Sequence, residues 1–275
     1  MMPAAGIDIG SLTAKAALME DGRLVGGHMV STGADSSKAG RMVMDELLEL
    51  NGLRLGDLDY VVATGYGRLN VPFAHKQVTE ITCHARGAHW FFPDVRTLLD
   101  VGGQDCKAIH FDGQGRVMDF VLNDKCAAGT GRFLERMARL IGLDLEEIGP
   151  RSLEPVEGPL PIDSACAVFA ENDVLEQLRA GRAVNDILAG IVDALAVRLE
   201  SLIKRIGFVP EFSISGGVAK NAGIVKRLND RLNTSARLAP DTQLVGAVGA
   251  ALLAGDLAAR NSAKLGFNHG GRQHV

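Results

Sequence analysis

The sequence predicts a mixed α/β protein built from two similar lobes. One strand–turn–strand motif occurs twice along the chain, which indicates an internal duplication. Short apolar segments with the pattern of strands alternate with segments of helical periodicity, and this order is typical of α/β architectures. With 275 residues, 47% of them apolar, the chain can bury a sizeable core as one large domain or as two lobes.

The repeated motif is a hairpin whose first strand ends in Asp-x-Gly. The first copy, residues 8–16, is followed by a turn at Asp21-Gly22, and the second copy, residues 100–108, by a turn at Asp112-Gly113. The spacing from the aspartate to a later lysine is the same in both copies. Strand patterns that flank Gly- and Asp-rich turns predict a hairpin at each place.

Helices and further strands follow the hairpins in alternation. Helical periodicity appears in residues 37–51, 129–141, 167–179 and 185–206, and short apolar strands include 60–63 and 211–215. We place a first lobe at residues 1–90, a second lobe at 91–260 and a polar tail at 261–275. The tail is expected to be poorly ordered, because polar chain ends with few apolar side chains seldom dock.

Composition and charge exclude several classes of function. The net charge of −4 and the pI near 6.0 give no clustered basic excess of the kind that nucleic acid or an anionic membrane attracts. The chain starts directly in a strand pattern without a secretory leader, and no later segment is apolar enough to span a bilayer. We expect a cytosolic protein with small-molecule or protein partners and no nucleic acid or membrane partner.

The two Asp-x-Gly hairpins form a candidate phosphate site. The carboxylates of Asp8 and Asp100 can organise a hydrated Mg²⁺, and the following glycines let backbone N–H groups approach a polyphosphate. A single Asp-x-Gly motif is better explained by turn chemistry, but two copies with one spacing favour phosphate binding from two sides. The candidate phosphate contacts are Gly10, Ser11, Thr13, Lys15, Gly102 and Gly103.

The tip of the second hairpin carries two polar side chains that suit catalysis. Gln104 or Asp105 can orient the water that attacks the terminal phosphate, and either can equally cap the turn. Both interpretations remain open from the sequence.

A later strand ends in a glycine pair, Gly216-Gly217. Paired glycines at a strand end let the backbone lie against a flat adenosine, with Asn221 available to the sugar or base. An ordinary β–α turn explains the same pattern. The segment from Gln243 to Ala254 reads as a helix of small residues, for which nucleotide contact at Gln243 and plain core packing are both open.

The order of hairpin, second hairpin, Gly-Gly loop and small-residue helix resembles the actin, sugar-kinase and Hsp70 superfamily over nearly the whole chain. The resemblance implies two ribonuclease-H-like lobes, with mixed sheets flanked by helices, that close over ATP. A Rossmann dehydrogenase is disfavoured because no G-x-G-x-x-G opens a helix after the first strand. A Walker A loop is also absent from the sequence.

Two of the four cysteines precede helical segments. Cys126 and Cys166 would lie at positive helix ends, which favour thiolates and the negative charge of a thiolate-bound cluster. Small buried hydrophobic residues are the alternative interpretation. Because a [4Fe–4S] cluster takes four thiolates and C-x-x-C pairs are absent, two from one chain suggest a cluster shared by a dimer.

Longer motifs sharpen the resemblance. The chain resembles the activators of 2-hydroxyacyl-CoA dehydratases and the related ATP-binding subunits of benzoyl-CoA reductases. The motifs are residues 63–68, 83–88 and 100–105, with the stretches around Cys126 and Cys166. The resemblance implies a [4Fe–4S] cluster bound by these two cysteines between a chain and its second copy or a related chain. It further implies ATP-dependent electron transfer to an acyl-CoA dehydratase or reductase component, with ferredoxin or flavodoxin as donor.

The remaining cysteines are assigned to structure. Cys83 lies in the family-like Cys-His-Ala-Arg-Gly stretch without ligand spacing, and Cys106 occupies the place of Ala14 in the first hairpin. The leading hypothesis is thus an ATPase that activates an acyl-CoA enzyme reductively. Its rivals are a permanent benzoyl-CoA reductase subunit and, from another class, a metal-free small-molecule kinase, which this short chain suits poorly.

Overall fold

A computed structural model describes the backbone of residues 3–269 and the side chains of residues 3–263. The strands are β1 (Ala4–Ile9), β2 (Thr13–Glu20), β3 (Arg23–Ser31), β4 (Tyr60–Thr64), β5 (Lys76–Gln77), β6 (Thr97–Val101), β7 (Cys106–Phe111), β8 (Val117–Asn123) and β9 (Phe212–Ser215). The helices are α1 (Ser36–Leu50), α2 (Glu80–Phe91), α3 (Gly131–Ile141), α4 (Leu145–Ser152), α5 (Ala167–Arg179), α6 (Val184–Arg205), α7 (Ala222–Leu232) and α8 (Val245–His269).

The chain divides into two compact units. The first is built from the chain up to Phe91 together with the chain from Leu244 onwards, and the second is Phe92–Gln243. Within the described part of the chain, no helix has the length and apolar character needed to cross a membrane.

The first unit is a mixed sheet of order β3-β2-β1-β4-β5. β1 pairs antiparallel with β2 and parallel with β4. Every residue of β1 is buried, because α1 packs on one face of the sheet and α8 on the other. At Gly6 the backbone of α8 lies so close that a Cβ atom would overlap the carbonyl oxygen of Ala247. This contact fixes the strand that carries Asp8.

The second unit is a mixed sheet of order β8-β7-β6-β9. β6 pairs antiparallel with β7 and parallel with β9. Its core is formed by the inner faces of these strands and of α3 to α7, with Phe133, Met137 and Phe212 among the largest fully buried side chains. The predicted architecture of mixed sheets flanked by helices is therefore found in both units.

Several element boundaries differ from the expected ones. A 3₁₀ turn, Ala127–Gly129, follows Cys126, so α3 begins only at Gly131 rather than at 129. Helix α2 was not predicted. In the predicted polar tail, residues 261–269 continue α8, and residues 270–275 lie outside the described residues.

Candidate functional site

Asp8 is the penultimate residue of β1 and is buried at the base of the first hairpin. Its register partner across the antiparallel pair is Lys15, whose Nζ lies 3.3 Å from Asp8 Oδ2. His84 Nε2, from α2, lies 4.0 Å from the same oxygen. A carboxylate in the dry interior is costly unless it is paired, and these groups supply the pairing.

Glycines let two backbones approach Asp8 closely. A Cβ atom at Gly246, in the first turn of α8, would lie 2.9 Å from Asp8 Oδ2, and one at Gly65 would overlap Asp8 Oδ1. Gly65 has a φ of +84°, a conformation that favours glycine. The positive end of the α8 dipole therefore lies beside the carboxylate and stabilises its negative charge.

Asp100 occupies the matching place in the second unit. Lys107, its register partner, lies 3.0 Å from Asp100 Oδ2, and the Ser215 hydroxyl donates to Asp100 Oδ1 at 2.7 Å. Lys107 Nζ also lies 2.9 Å from Asp105 Oδ2. One buried lysine is therefore shared by two carboxylates.

The correspondence between the units extends beyond the predicted hairpins. Thr64 pairs with Asp8 across the parallel strands as Ser215 pairs with Asp100, and each hydroxyl residue precedes a glycine. Gly216, like Gly65, has a positive φ, here +88°, and a Cβ atom there would overlap the carbonyl oxygen of Val101. This second correspondence, of Thr64 with Ser215 and of Gly65 with Gly216, was not predicted from the sequence. Its signal is a hydroxyl residue followed by glycine at the end of two apolar strands.

The hairpin tips are closed by one backbone hydrogen bond each. Gly10 N donates to Thr13 O at 3.0 Å, and Gly102 N donates to Asp105 O at 2.9 Å. Ser11 and Gly103 follow these glycines within the tips. The Gln104 side chain is exposed and makes no hydrogen bond to any residue that the structure describes. Of the two predicted water-orienting residues, Asp105 is therefore held by Lys107 and Gln104 projects from the tip.

The Gly-Gly loop connects β9 to a 3₁₀ turn, Gly217–Lys220. Gly216 N donates to Thr242 O, and the Thr242 hydroxyl donates to Gly216 O. Gly217 has open space, since an added Cβ atom would meet only the Gln243 side chain, at 3.6 Å. Asn221 caps α7 by accepting from Ile224 N at 3.0 Å. Gly217 and Gln243 are brought together, whereas the Asn221 side chain is engaged in the cap.

Cys166 and Cys126 are both partly exposed. Cys166 is the N-cap residue of α5, and the Asp163 carboxylate accepts from Cys166 N at 2.7 Å. Cys126 precedes the 3₁₀ turn, and its carbonyl accepts from the Asn123 amide at 3.1 Å. Neither cysteine side chain makes a capping bond to its helix among the described residues, so both thiols are open to another partner.

Arg198 of α6 lies between the two cysteine segments. A Cβ atom at Gly129 would lie 3.4 Å from Arg198 Cγ, and Arg198 Nη1 donates to the carbonyl oxygen of Ala165 at 3.3 Å. Both contacts place this positively charged side chain against the two cysteine segments.

Cys83 and Cys106 differ from this pair. Both are buried, and burial raises the pKa of each thiol to about 12. Cys106 lies in the core of the second unit, where the Asn123 amide is 3.7 Å from its Sγ. In the described part of the chain, no three His, Cys, Asp or Glu side chains are grouped as a metal site.

The two mixed sheets and the duplicated hairpin give this chain the fold predicted for it, that of the actin, sugar-kinase and Hsp70 proteins. A ROK family glucokinase from Streptomyces griseus, in complex with glucose and AMPPNP, is similar with a TM-score of 0.52 and 16% identity. The match covers 92% of this chain and 99% of that one, and it shows the fold alone. The predicted fold class is confirmed.

Residues 5–254 match the BadF/BadG/BcrA/BcrD ATPase family, and the chain belongs to that family. The activator of lactoyl-CoA dehydratase from Anaerotignum propionicum is 45% identical over 90% of this chain and 96% of its own length. A benzoyl-CoA reductase subunit from Thauera aromatica is 36% identical over 79% of each chain.

A solved structure agrees with these relatives. The activator of the 2-hydroxyisocaproyl-CoA dehydratase from Clostridium difficile, with bound ADPNP, has a TM-score of 0.90 and 41% identity, covering 96% of this chain and 98% of that one. The family predicted from the sequence motifs is confirmed.

Proposed function

We propose that this protein is an ATP-hydrolysing activator of a 2-hydroxyacyl-CoA dehydratase. When bound, a [4Fe–4S] cluster held jointly by two copies of the chain supplies transfer of single electrons at low potential. The observation that carries the proposal is a combination of two features in one chain of this ATPase family. Each hairpin pairs a buried aspartate with a lysine, and two cysteines are partly exposed. The partners are a cytosolic acyl-CoA dehydratase and a ferredoxin or flavodoxin donor.

The hairpins are assigned to the phosphates of ATP. Backbone N–H groups at each tip, and in the first hairpin also Thr13 and Lys15, suit a polyphosphate, because each turn gathers its own donors at one end of its hairpin. Lys15 would keep its bond to Asp8 and present its remaining N–H groups. Phosphate binding by both copies explains why the same buried ion pair is present twice.

The aspartates fit a hydrated Mg²⁺ better than a directly bound one. Both oxygens of Asp100 already accept bonds, from Lys107 and Ser215. Each oxygen has a second lone pair, which suits a metal-bound water. Asp8 and Asp100 would therefore orient the hydration shell of the ion. Gln104 is assigned to the attacking water, because its amide is exposed at the tip while Asp105 is paired.

The adenosine is assigned to the loop at Gly217. Its open space and the neighbouring Gln243 amide suit a flat base and a hydrogen bond to it. Gly216 is required by its own backbone conformation whether or not nucleotide is bound. Asn221 would contact the sugar or base only through the donor groups that its capping bond leaves unused.

Cys126 and Cys166 fit a shared iron–sulfur cluster. Both thiols are accessible, Arg198 supplies nearby positive charge, and each chain offers two thiolates of the four required. Asn123 and Asp163 hold the backbone of the two cysteines. A second copy of the chain would complete the ligand set.

The proposal is tested by anaerobic purification with iron and sulfide quantitation, dimer mass and ATPase activity. We expect about four iron ions per dimer and their loss in Cys126→Ala and Cys166→Ala. Cys83→Ala and Cys106→Ala are the matched controls and should retain iron. An iron-free protein that phosphorylates a small molecule would instead support a kinase.

Alkylation of the metal-free protein at pH 8 gives an independent check. Because the pKa values of Cys83 and Cys106 are raised to about 12, their thiols stay protonated at pH 8 and should resist labelling. Cys126 and Cys166 should label. Labelling of all four at equal rates would contradict the assignment.

A permanent subunit of a benzoyl-CoA reductase is the second candidate, and the similarity to the Thauera aromatica reductase chain favours it. Such a subunit would co-purify with larger, non-identical chains. A detachable activator would run as a homodimer.

A further inference from the structure

Thr64, the last residue of β4, carries a hydroxyl group that is buried without a hydrogen bond. The side chain is fully buried, and its Oγ1 atom has no hydrogen-bond partner among the residues that the structure describes. Burial raises the pKa of the nearby Cys83 thiol to about 12, and the Thr64 hydroxyl opposes that rise only in part, because a thiol is a weak partner. A valine would fill the same space without the cost of an unpaired polar group, so the hydroxyl needs another explanation.

The position of Thr64 matches that of Ser215 in the second unit. Thr64 lies in register with Asp8 on parallel strands, as Ser215 does with Asp100. Residues in register on neighbouring parallel strands point to the same face of the sheet, and the strands lie about 4.8 Å apart. In the second unit, the Ser215 hydroxyl donates to Asp100 Oδ1 at 2.7 Å. The same register therefore places the Thr64 hydroxyl within reach of the Asp8 carboxylate.

In the first unit, the carboxylate is turned towards other groups. Asp8 Oδ2 lies 3.3 Å from Lys15 Nζ and 4.0 Å from His84 Nε2, and Asp8 Oδ1 lies beside Gly65. The terminal torsion of an aspartate has a broad energy minimum. Rotation about this torsion can therefore bring an oxygen of Asp8 to Thr64 at little cost and without moving either strand.

The ends of the two strands are held firmly against each other. A Cβ atom at Gly65 would overlap the carbonyl oxygen of Ile9, and Gly67 N donates to the same oxygen at 2.9 Å. Backbone movement is therefore a poor way to join the two side chains. Rotation of the Asp8 carboxyl group and of the Thr64 hydroxyl group is sufficient.

We propose that Thr64 is a positioning residue for Mg²⁺-dependent ATP hydrolysis, whose hydroxyl donates to Asp8 when that carboxylate orients the hydration shell of the ion. This inference rests on the proposed function. Asp8 then has the arrangement of Asp100, which accepts from Lys107 at one oxygen and from Ser215 at the other. Two donors on different oxygens fix the plane of the carboxyl group, and each oxygen keeps a lone pair for a metal-bound water.

The test is Thr64→Val in the full-length, anaerobically purified protein, because valine keeps the branched shape and lacks only the hydroxyl. We expect ADPNP binding in the presence of Mg²⁺, measured by calorimetry, to weaken roughly tenfold, as the loss of one hydrogen bond to a charged group predicts. Binding of ADPNP in EDTA should be unchanged. Steady-state ATP hydrolysis should fall by a similar factor, and Thr64→Ser, which keeps the hydroxyl, should restore both.

Melting of the ligand-free protein separates this positioning role from a structural one. Thr64→Val should melt at the wild-type temperature or above, whereas Ser215→Ala should melt lower because it removes the bond to Asp100. Ser213→Ala is the matched control, since the Ser213 hydroxyl is also buried without a bond among the described residues. It should not lower the melting temperature, and it should leave ADPNP binding unchanged with and without Mg²⁺.

Two results would overturn the inference while the proposed function stands. One is a Thr64→Val protein whose affinity for ADPNP is unchanged, or is lowered equally with Mg²⁺ and in EDTA. The other is a melting temperature of Thr64→Val lowered as much as that of Ser215→Ala, because the hydroxyl would then be bonded before any ligand binds. If the wild-type protein binds no ADPNP under either condition, the proposed function fails, and this inference fails with it.

Discussion

Asp100 and Asp8 occupy the same place in two sheets, but their surroundings differ. Asp100 is bonded by Lys107 and Ser215, and Lys107 has a second carboxylate, Asp105. Removing one partner of a buried ion pair normally leaves a costly unpaired charge. If Asp100 is replaced, Lys107 remains paired with Asp105. The Asp100 carboxylate can therefore be removed with little damage to the fold.

We expect Asp100→Asn to lower Mg²⁺-dependent ATP hydrolysis on the order of a hundredfold, because charge stabilisation of the transferring phosphoryl group is lost. The melting temperature should change little. Steady-state hydrolysis is compared with that of Asp45→Asn, an exposed residue of α1. Wild-type turnover in Asp100→Asn would remove the assignment of the hairpin.

Gly216 and Gly217 are neighbours with different requirements. Gly216 has a positive φ and faces the Val101 carbonyl, so Gly216→Ala should lower the free energy of unfolding by about 1 kcal/mol or more even without ligand. Its effect on nucleotide binding is therefore not informative.

Gly217→Ala is the informative variant, because the loop has room for the methyl group in the free protein. We expect normal melting and roughly tenfold weaker ATP binding by calorimetry, equivalent to about 1.4 kcal/mol, since the methyl group occupies the place assigned to the base. Unchanged affinity would indicate an ordinary β–α turn.

Among the elements, α2 and α8 show the closest backbone approach described. A Cβ atom at Gly249 would overlap the carbonyl oxygen of Cys83, so Gly249→Ala must separate the helices. We expect a loss of about 2 kcal/mol or more in the free energy of unfolding, measured in urea.

Gly255→Ala, in the same helix, is the matched control. Its nearest neighbour would be the Ala4 side chain at 4.0 Å, so the change should be neutral or stabilising by up to about 1 kcal/mol. If the two substitutions changed the free energy of unfolding equally, helix propensity rather than contact with α2 would determine the effect of Gly249→Ala.

The elements also show how far the sequence can predict this fold. The hairpins were predictable because their information is local: in each of them, four residues between the last paired positions place Asp8 opposite Lys15 and Asp100 opposite Lys107. The helix beginning at Ala167 was predictable from its periodicity. The family followed from long motifs that the comparisons confirm.

The missing parts depend on residues distant in sequence. Ser215 reaches Asp100 from a parallel strand, and Thr64 lies in register with Asp8 on another, and no local pattern names these partners. The final helix packs on β1, which lies more than 200 residues away, and its alanine-rich sequence suits many partners equally. The 3₁₀ turn after Cys126 was missed because Gly129-Thr130-Gly131 fits either a helix start or a turn. The roles of the site residues stay predictions.

For the whole molecule, nucleotide and redox state should be linked reciprocally. If ADPNP shifts the midpoint potential of the cluster relative to the free protein, reduction must change ADPNP affinity by the corresponding factor, tenfold for each shift of about 59 mV. Potentiometry and calorimetry of oxidised and reduced protein measure the two sides. Cys126→Ala is the control and should bind ADPNP equally under both conditions. A potential shift without the matching change in affinity would mean that the two measurements report different states.

β1 leaves the ribosome well before α8, the helix that covers one of its faces. A nascent chain that has reached Gln243 contains the whole second unit and only part of the first. Until α8 arrives, the alanine-lined face that it covers, with Ala4 and Ala17, stays open to water or to other chains. The order of synthesis therefore favours completion of the second unit before the first, so β1 is fully covered only after the whole second unit has been made.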